Sequence, residues 1–284
     1  MRRLLTGLSG SLLLVLAVGC GRPPADRGQV VADGVARAGL EVRANGTDLV
    51  PVTVLFPADG DGRPTARGLP VLVYVQGGAV TPSRYEGRLS RLVARGYVVA
   101  LPRHPLDLAF FGIDHGAATR RALLAPEPGS FLEGLVDPQR VGVGGHSLGG
   151  VVAMKLALGG GFQAVVVEAS FSDPADDSKL KSFTVPSLFL AAKQDCQAKE
   201  AQVREGWDKM PSPTALVVLE GVTHFQFSDS DAEDFKRSCP PDTSLETAHA
   251  RITAALDTFL SASLSTGAVG AGLSTLAGAE VVVR

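Results

Sequence analysis

The residues Gly145-His146-Ser147-Leu148-Gly149 have the types and spacing of a nucleophile. A serine with glycine two positions to either side suits a sharp strand-to-helix turn that lifts its hydroxyl clear of the backbone. A hydroxyl attacks a carbonyl only when a base takes its proton, and that base needs a partner to orient it. Two histidines lie beyond Ser147. His224 follows the apolar run 215–219 in the loop Glu220-Gly221-Val222-Thr223-His224-Phe225, at the carboxyl end of an expected strand, where open parallel sheets build their sites. His249 falls inside an expected helix among small and charged residues, which reads as a surface position. His224 is therefore the candidate base, and His146, the variable residue of the pentapeptide, reads as packing. Three carboxylates compete to orient the base: Asp195 just after the run 187–191, and Glu168 and Asp173 near the end of the run 164–168. Backbone N–H groups must also meet the oxyanion. Leu148, at the start of a helix, is one candidate donor. The glycine loop Gln76-Gly77-Gly78-Ala79 offers the second, at Gly78.

These residues need a scaffold. The segments 39–44 and 49–56 read as strands around an Asn45-Gly46 turn. Residues 70–76 form a continuous apolar run, as expected of a strand buried on both faces. Residues 82–95 carry Leu89, Leu92 and Val93 at helical spacing, 97–101 reads as a further buried strand, and a helix is expected near 117–124, before Pro126 and Pro128. The run 140–144 leads into the serine pentapeptide, with a helix over 151–158. Three short strands follow at 164–168, 187–191 and 215–219, then a closing helix over 244–260. This alternation predicts an α/β fold: a mostly parallel central sheet with helices on both faces.

The chain has 284 residues, 45% apolar and 20% charged, enough for one large domain. A formal charge of -2 supplies no basic surface for a phosphate backbone, which argues against nucleic acid as a partner. Arg2 and Arg3 precede an apolar stretch too short to span a bilayer comfortably, the pattern of an export signal over residues 1–19. It ends in Leu16-Ala17-Val18-Gly19-Cys20, similar to the bacterial lipobox, so Cys20 is the expected lipid attachment point; ordinary cleavage and secretion is the alternative. Residues 20–38 then read as a tether, 39–262 as the domain and 263–284, rich in small residues, as a low-complexity tail. The expected location is the cell envelope, held to the membrane through lipid. The remaining cysteines, Cys196 and Cys239, are expected to form a disulfide, since neither has a second Cys or a His at zinc-ligand spacing.

Residues 49–260 resemble the α/β-hydrolase family. The resemblance rests on Gln76-Gly77-Gly78, on Gly145-His146-Ser147-Leu148-Gly149-Gly150, on Asp195, and on Gly221-Val222-Thr223-His224-Phe225. It is nearer to the compact dienelactone hydrolase and cutinase members than to large-lid lipases. Gln76 departs from the histidine often found there, although the expected donor is main chain. The family's chain order, nucleophile then acid then histidine, implies the set Ser147, Asp195 and His224. It also implies acyl transfer to Ser147, hydrolysis of the acyl-enzyme by water, and no metal or organic cofactor. A carboxylic ester, small or polymeric, is the implied substrate; amidases, thioesterases and a retired, ligand-binding hydrolase fold are the alternatives. Only about twenty residues separate Glu168 from Ser187, too few for a multi-helix cap. An open site is expected, with Phe110 and Phe111 as candidate lining and ordinary core packing as the equal alternative for them.

Overall fold

The computed structural model describes residues 27–230 and 232–284, with only the backbone of Asp234. Ten strands form one sheet: β1 (Gln29–Ala32), β2 (Val35–Ala44), β3 (Asp48–Pro57), β4 (Leu69–Val75), β5 (Val98–Pro102), β6 (Val136–His146), β7 (Ala164–Glu168), β8 (Ser187–Ala192), β9 (Thr214–Leu219) and β10 (Ala279–Val283). Their spatial order is β1-β2-β3-β5-β4-β6-β7-β8-β9-β10. The six strands from β5 to β9 in that order are mutually parallel, while β1, β2 and β3 at one edge and β10 at the other run antiparallel to their neighbours. The chain goes from β4 to β5 on one side and then returns to lay β6 on the other. That reversal opens a crevice beyond the carboxyl ends of β4 and β6, the place where open α/β sheets receive ligands.

Alternate residues of β4 feed two cores. Val71, Val73 and Val75 join the apolar cluster under α2 (Gly112–Leu124), α3 (Leu148–Leu158) and α5 (Glu200–Asp208). Leu72 and Tyr74 join the cluster under α1 (Glu86–Val93) and α7 (Leu245–Thr266). Burial on both faces explains why the central strands read as unbroken apolar runs. Between β7 and β8 stand only a 3-10 turn (Pro174–Asp176) and the single-turn helix α4 (Asp177–Leu180), so this connection supplies no multi-helix cap over the crevice. A further short helix, α6 (Glu233–Ser238), precedes α7.

The expected helix over 82–95 divides into a 3-10 turn (Pro82–Arg84) and α1, and α2 begins at Gly112, earlier than the apolar pattern indicates. The expected tether 20–38 is corrected from residue 29 onward: β1 and β2 form a hairpin through Gly34, whose φ of +70° suits the turn. The expected tail 263–284 is also ordered. α7 runs on to Thr266 and ends at left-handed Gly267, Leu273 is fully buried, and β10 pairs with β9 along its whole length. Amide bonds in both directions join Arg284 to Thr214, and the Arg284 guanidinium lies 3.7 Å from the Trp207 ring centroid. Residues so rich in Ala, Gly and Ser show no helical period, and their order comes from this pairing. Cys20 and the export signal lie outside the described residues. No helix among the described residues is long and apolar enough to cross a membrane.

Candidate functional site

Ser147 sits between β6 and α3 with φ 55° and ψ -125°, a backbone state that costs a non-glycine residue energy and that the surroundings must enforce. They do so through close contact. A Cβ on Gly145 would lie 2.2 Å from the Gly149 carbonyl oxygen, and one on Gly149 would lie 2.3 Å from that of Val75. The Ser147 amide donates to the Glu168 carbonyl at 2.9 Å, and its own carbonyl accepts from Gly150 at 2.9 Å. Glycine at both flanks is thus a packing requirement of the turn.

His224 opens a 3-10 turn (His224–Phe227) just past β9, and its Nδ1 meets Asp195 Oδ2 at 2.9 Å. The other carboxylate oxygen, Oδ1, accepts from the amides of Gln197 at 2.7 Å and Ala198 at 2.8 Å, and the Asp195 side chain is fully buried. A carboxylate that accepts at Oδ2 places the imidazole proton on Nδ1 and leaves Nε2 with its lone pair, as a base requires. The two competing carboxylates are engaged elsewhere. Glu168 is fully buried against Arg88, at 2.8 Å, and the Tyr74 hydroxyl, at 2.6 Å. Asp173 accepts from the Ala175 amide and pairs with Lys155. Among the three candidates, Asp195 is the one bonded to His224.

In the glycine loop, the Gly77 amide donates to the Tyr85 hydroxyl, Ala79 to the Asp107 carbonyl and Val80 to the Gly77 carbonyl. Between Gly77 and Val80 the Gly78 amide has no acceptor among the described residues, and Gly78 is exposed. Its position beside Leu148, with a built Cβ 3.5 Å from Leu148 Cδ2, puts it next to the first amide of α3, which has no intrahelical partner. Two neighbouring amides without acceptors at the crevice are the kind of donor pair that suits developing negative charge. Gln76 is buried, and its amide group makes no hydrogen bond to protein among the described residues.

Ser147 and His224 lie on the walls of two adjoining cavities. The larger, about 610 Å³, extends past Gly78, Thr81 and Arg84 towards Phe225 and Phe235. The smaller, about 280 Å³, is walled by Leu148, Val151, Phe171 and Ala198, and Gln197 borders both. Among the described residues no cluster of three His, Cys, Asp or Glu side chains could hold a metal ion. The family model of the alpha/beta hydrolase family matches residues 71–234, which run from β4 through the elbow and the Asp195 and His224 loops into α6. The chain belongs to the alpha/beta hydrolase family. A search of proteins of curated function returns no match.

Two expectations about this alpha/beta hydrolase change with the structure, and a third holds. His249 is buried, not at the surface: its Nε2 meets the Ser228 carbonyl at 3.1 Å where α7 packs on the His224 turn. Small neighbours on α7 permit that close packing, and burial pushes its pKa down. Phe225 and Phe235, parallel at 4.0 Å, supply the aromatic wall of the larger cavity, while Phe110 and Phe111 pack on each other, with rings tilted by 36°, outside that wall. Cys196 and Cys239 form the expected disulfide, one residue from Asp195.

The buried network under the elbow escapes a reading of single motifs. Arg88 bonds both Glu168 oxygens and the Tyr74 hydroxyl, and the Glu168 charge holds the guanidinium protonated against the opposing effect of burial. A signal does exist: Arg88 falls on the apolar face of α1, between Tyr85 and Leu92, where a charge requires a buried partner.

Proposed function

We propose that this chain hydrolyses carboxylic esters through an acyl-enzyme on Ser147. The observation that carries the reading is the buried 2.9 Å contact between His224 Nδ1 and Asp195 Oδ2, on a cavity wall shared with strained Ser147. His224 Nε2 takes the hydroxyl proton as Ser147 Oγ attacks the carbonyl carbon, and the Gly78 and Leu148 amides receive the charge on the carbonyl oxygen. The base then returns the proton to the departing alcohol. Water, deprotonated by His224, releases the acid and restores Ser147. Asp195 holds the ring and offsets the imidazolium charge. Adjoining cavities, about 610 and 280 Å³, favour an ester with bulk on both sides of the scissile bond. The open crevice supports a place near the compact dienelactone hydrolase and cutinase members.

The leader ending at Cys20 supports export and a lipid anchor at the bacterial envelope. Mass spectrometry of the mature N-terminus tests that part, and an unlipidated Cys20 would overturn it. The catalytic reading is tested by a fluorophosphonate probe and an activated ester. Ser147 is expected to be labelled, and Ser147→Ala to lose both label and turnover while remaining folded. A Ser147→Ala variant with more than a small fraction of wild-type turnover would refute the assignment.

A further inference from the structure

The fully buried phenol of Tyr85 stands between two parts of the site. Its oxygen accepts the Gly77 amide at 2.9 Å and lies 3.0 Å from His146 Nδ1. An amide can only donate, so the phenol oxygen accepts from Gly77 and makes its second hydrogen bond with the imidazole of His146 at Nδ1. That ring packs 4.6 Å from the His224 ring, between it and Tyr85, and stacks on Phe227 at 5.5 Å. Gly77 immediately precedes the open amide of Gly78, and His146 immediately precedes Ser147.

We propose that Tyr85 is a positioning residue: through one hydroxyl it ties the glycine loop that presents the Gly78 amide to the elbow and, by way of His146, to the ring of the base. Resting on the Ser147 esterase reading, this assigns a role to a side chain that touches no reacting atom. Burial favours the protonation states the relay needs. It raises the Tyr85 phenol above its ordinary range, and it drives His146 well below the usual imidazole value, helped by nearby His224 and Arg88. Both groups thus stay uncharged near neutral pH, and the hydroxyl and the imidazole remain hydrogen-bond partners. The larger network around Tyr74, Arg88 and Glu168 packs against the same ring but bonds neither the glycine loop nor His146.

Tyr85→Phe keeps the ring and removes the hydroxyl, leaving the Gly77 amide and His146 Nδ1 without their partner. The effect is expected on the transition state. Turnover of an activated ester should fall about 10- to 100-fold with KM changed by less than about three-fold, as for a small displacement of a charge-stabilising donor. Affinity for a trifluoromethyl ketone, whose tetrahedral adduct needs the same donor, should fall by the same factor. Tyr74→Phe deletes a comparably buried hydroxyl from the neighbouring network, so it should lower Tm yet keep kcat within about two-fold of wild type. Rates are expressed per site titrated with fluorophosphonate, so a loss of folded protein in either variant cancels. The proposal is overturned if Tyr85→Phe keeps wild-type kcat, if Tyr74→Phe loses as much, or if the loss lies wholly in KM. A wild type that neither labels nor turns over ester would instead overturn the underlying esterase reading.

Discussion

Removing the disulfide tests both the stability of the domain and the placement of the acid. Cys196 and Cys239 close a loop with a sequence separation of 43, and that loop contains His224. On the chain-entropy relation, cross-linking such a loop removes about 13 cal/mol/K from the unfolded chain, about 4 kcal/mol at 25 °C. In a domain of this size each kcal/mol shifts Tm by roughly 2–4 °C, so the double substitution Cys196→Ser/Cys239→Ser should melt about 8–16 °C lower. The catalytic consequence is smaller and local. The amides of Gln197 and Ala198, the two residues after Cys196, hold Asp195 Oδ1, and those bonds survive the substitution while losing one anchor. Turnover should therefore fall by no more than about 100-fold, the scale of a modest misplacement. Differential scanning calorimetry of wild type, reduced wild type and the double variant, alongside ester turnover, measures both effects. A Tm within about 2 °C of wild type, or two titratable thiols in the unreduced, denatured protein, would refute the reasoning.

Asp195→Asn should cost roughly 10⁴ in kcat with little change in KM, on the precedent of a serine protease; Asp173→Asn should be mild in the same steady-state assay. Glu168→Gln should act on stability, by about 3–5 kcal/mol, because it leaves the fully buried Arg88 charge without its partner. A urea melt that shows no loss would disprove that account. Acid should weaken the fold through buried imidazoles. His104, whose Nδ1 lies 3.0 Å from that of His115, is pushed down to about 4 by burial and by His115. The unfolded chain, with an ordinary value of about 6.5, binds more protons between those limits. Stability is then fully present above about pH 6.5 and falls by about 3 kcal/mol from this residue as pH drops towards 4. Urea titrations at pH 7 and 4.5 check this, and a smaller pH dependence in His104→Asn is expected; equal slopes would count against it.

What could be read locally was read where burial leaves a simple trace. β4, β5, β7, β8 and β9 are buried on both faces and appear as apolar runs; α1 and α7 bury one side and appear as helical periods. The elbow was legible because its glycines answer to contacts with the adjoining β4 and α3 backbone, which any such turn must make. Strand ends moved by a few residues, since a hydrogen-bonded ladder extends past the apolar part of a strand, as β6 does from Val136.

The chain's own pattern determined a parallel-sheet domain, a strained strand-to-helix turn at Ser147 and the loops that carry Asp195 and His224. Tertiary structure decided which carboxylate bonds to His224: all three candidates end strands or follow them, and only packing showed Glu168 spent on Arg88 and Asp173 on Lys155. It also decided that the last residues form β10, because an edge strand of small residues owes its order to amide bonds with β9, made across more than sixty positions of sequence. The burial of His249 and the bonds of the Tyr85 hydroxyl belong to the same class. A side chain's type limits which bonds it can make, but its partners come from distant segments that only the folded sheet brings together.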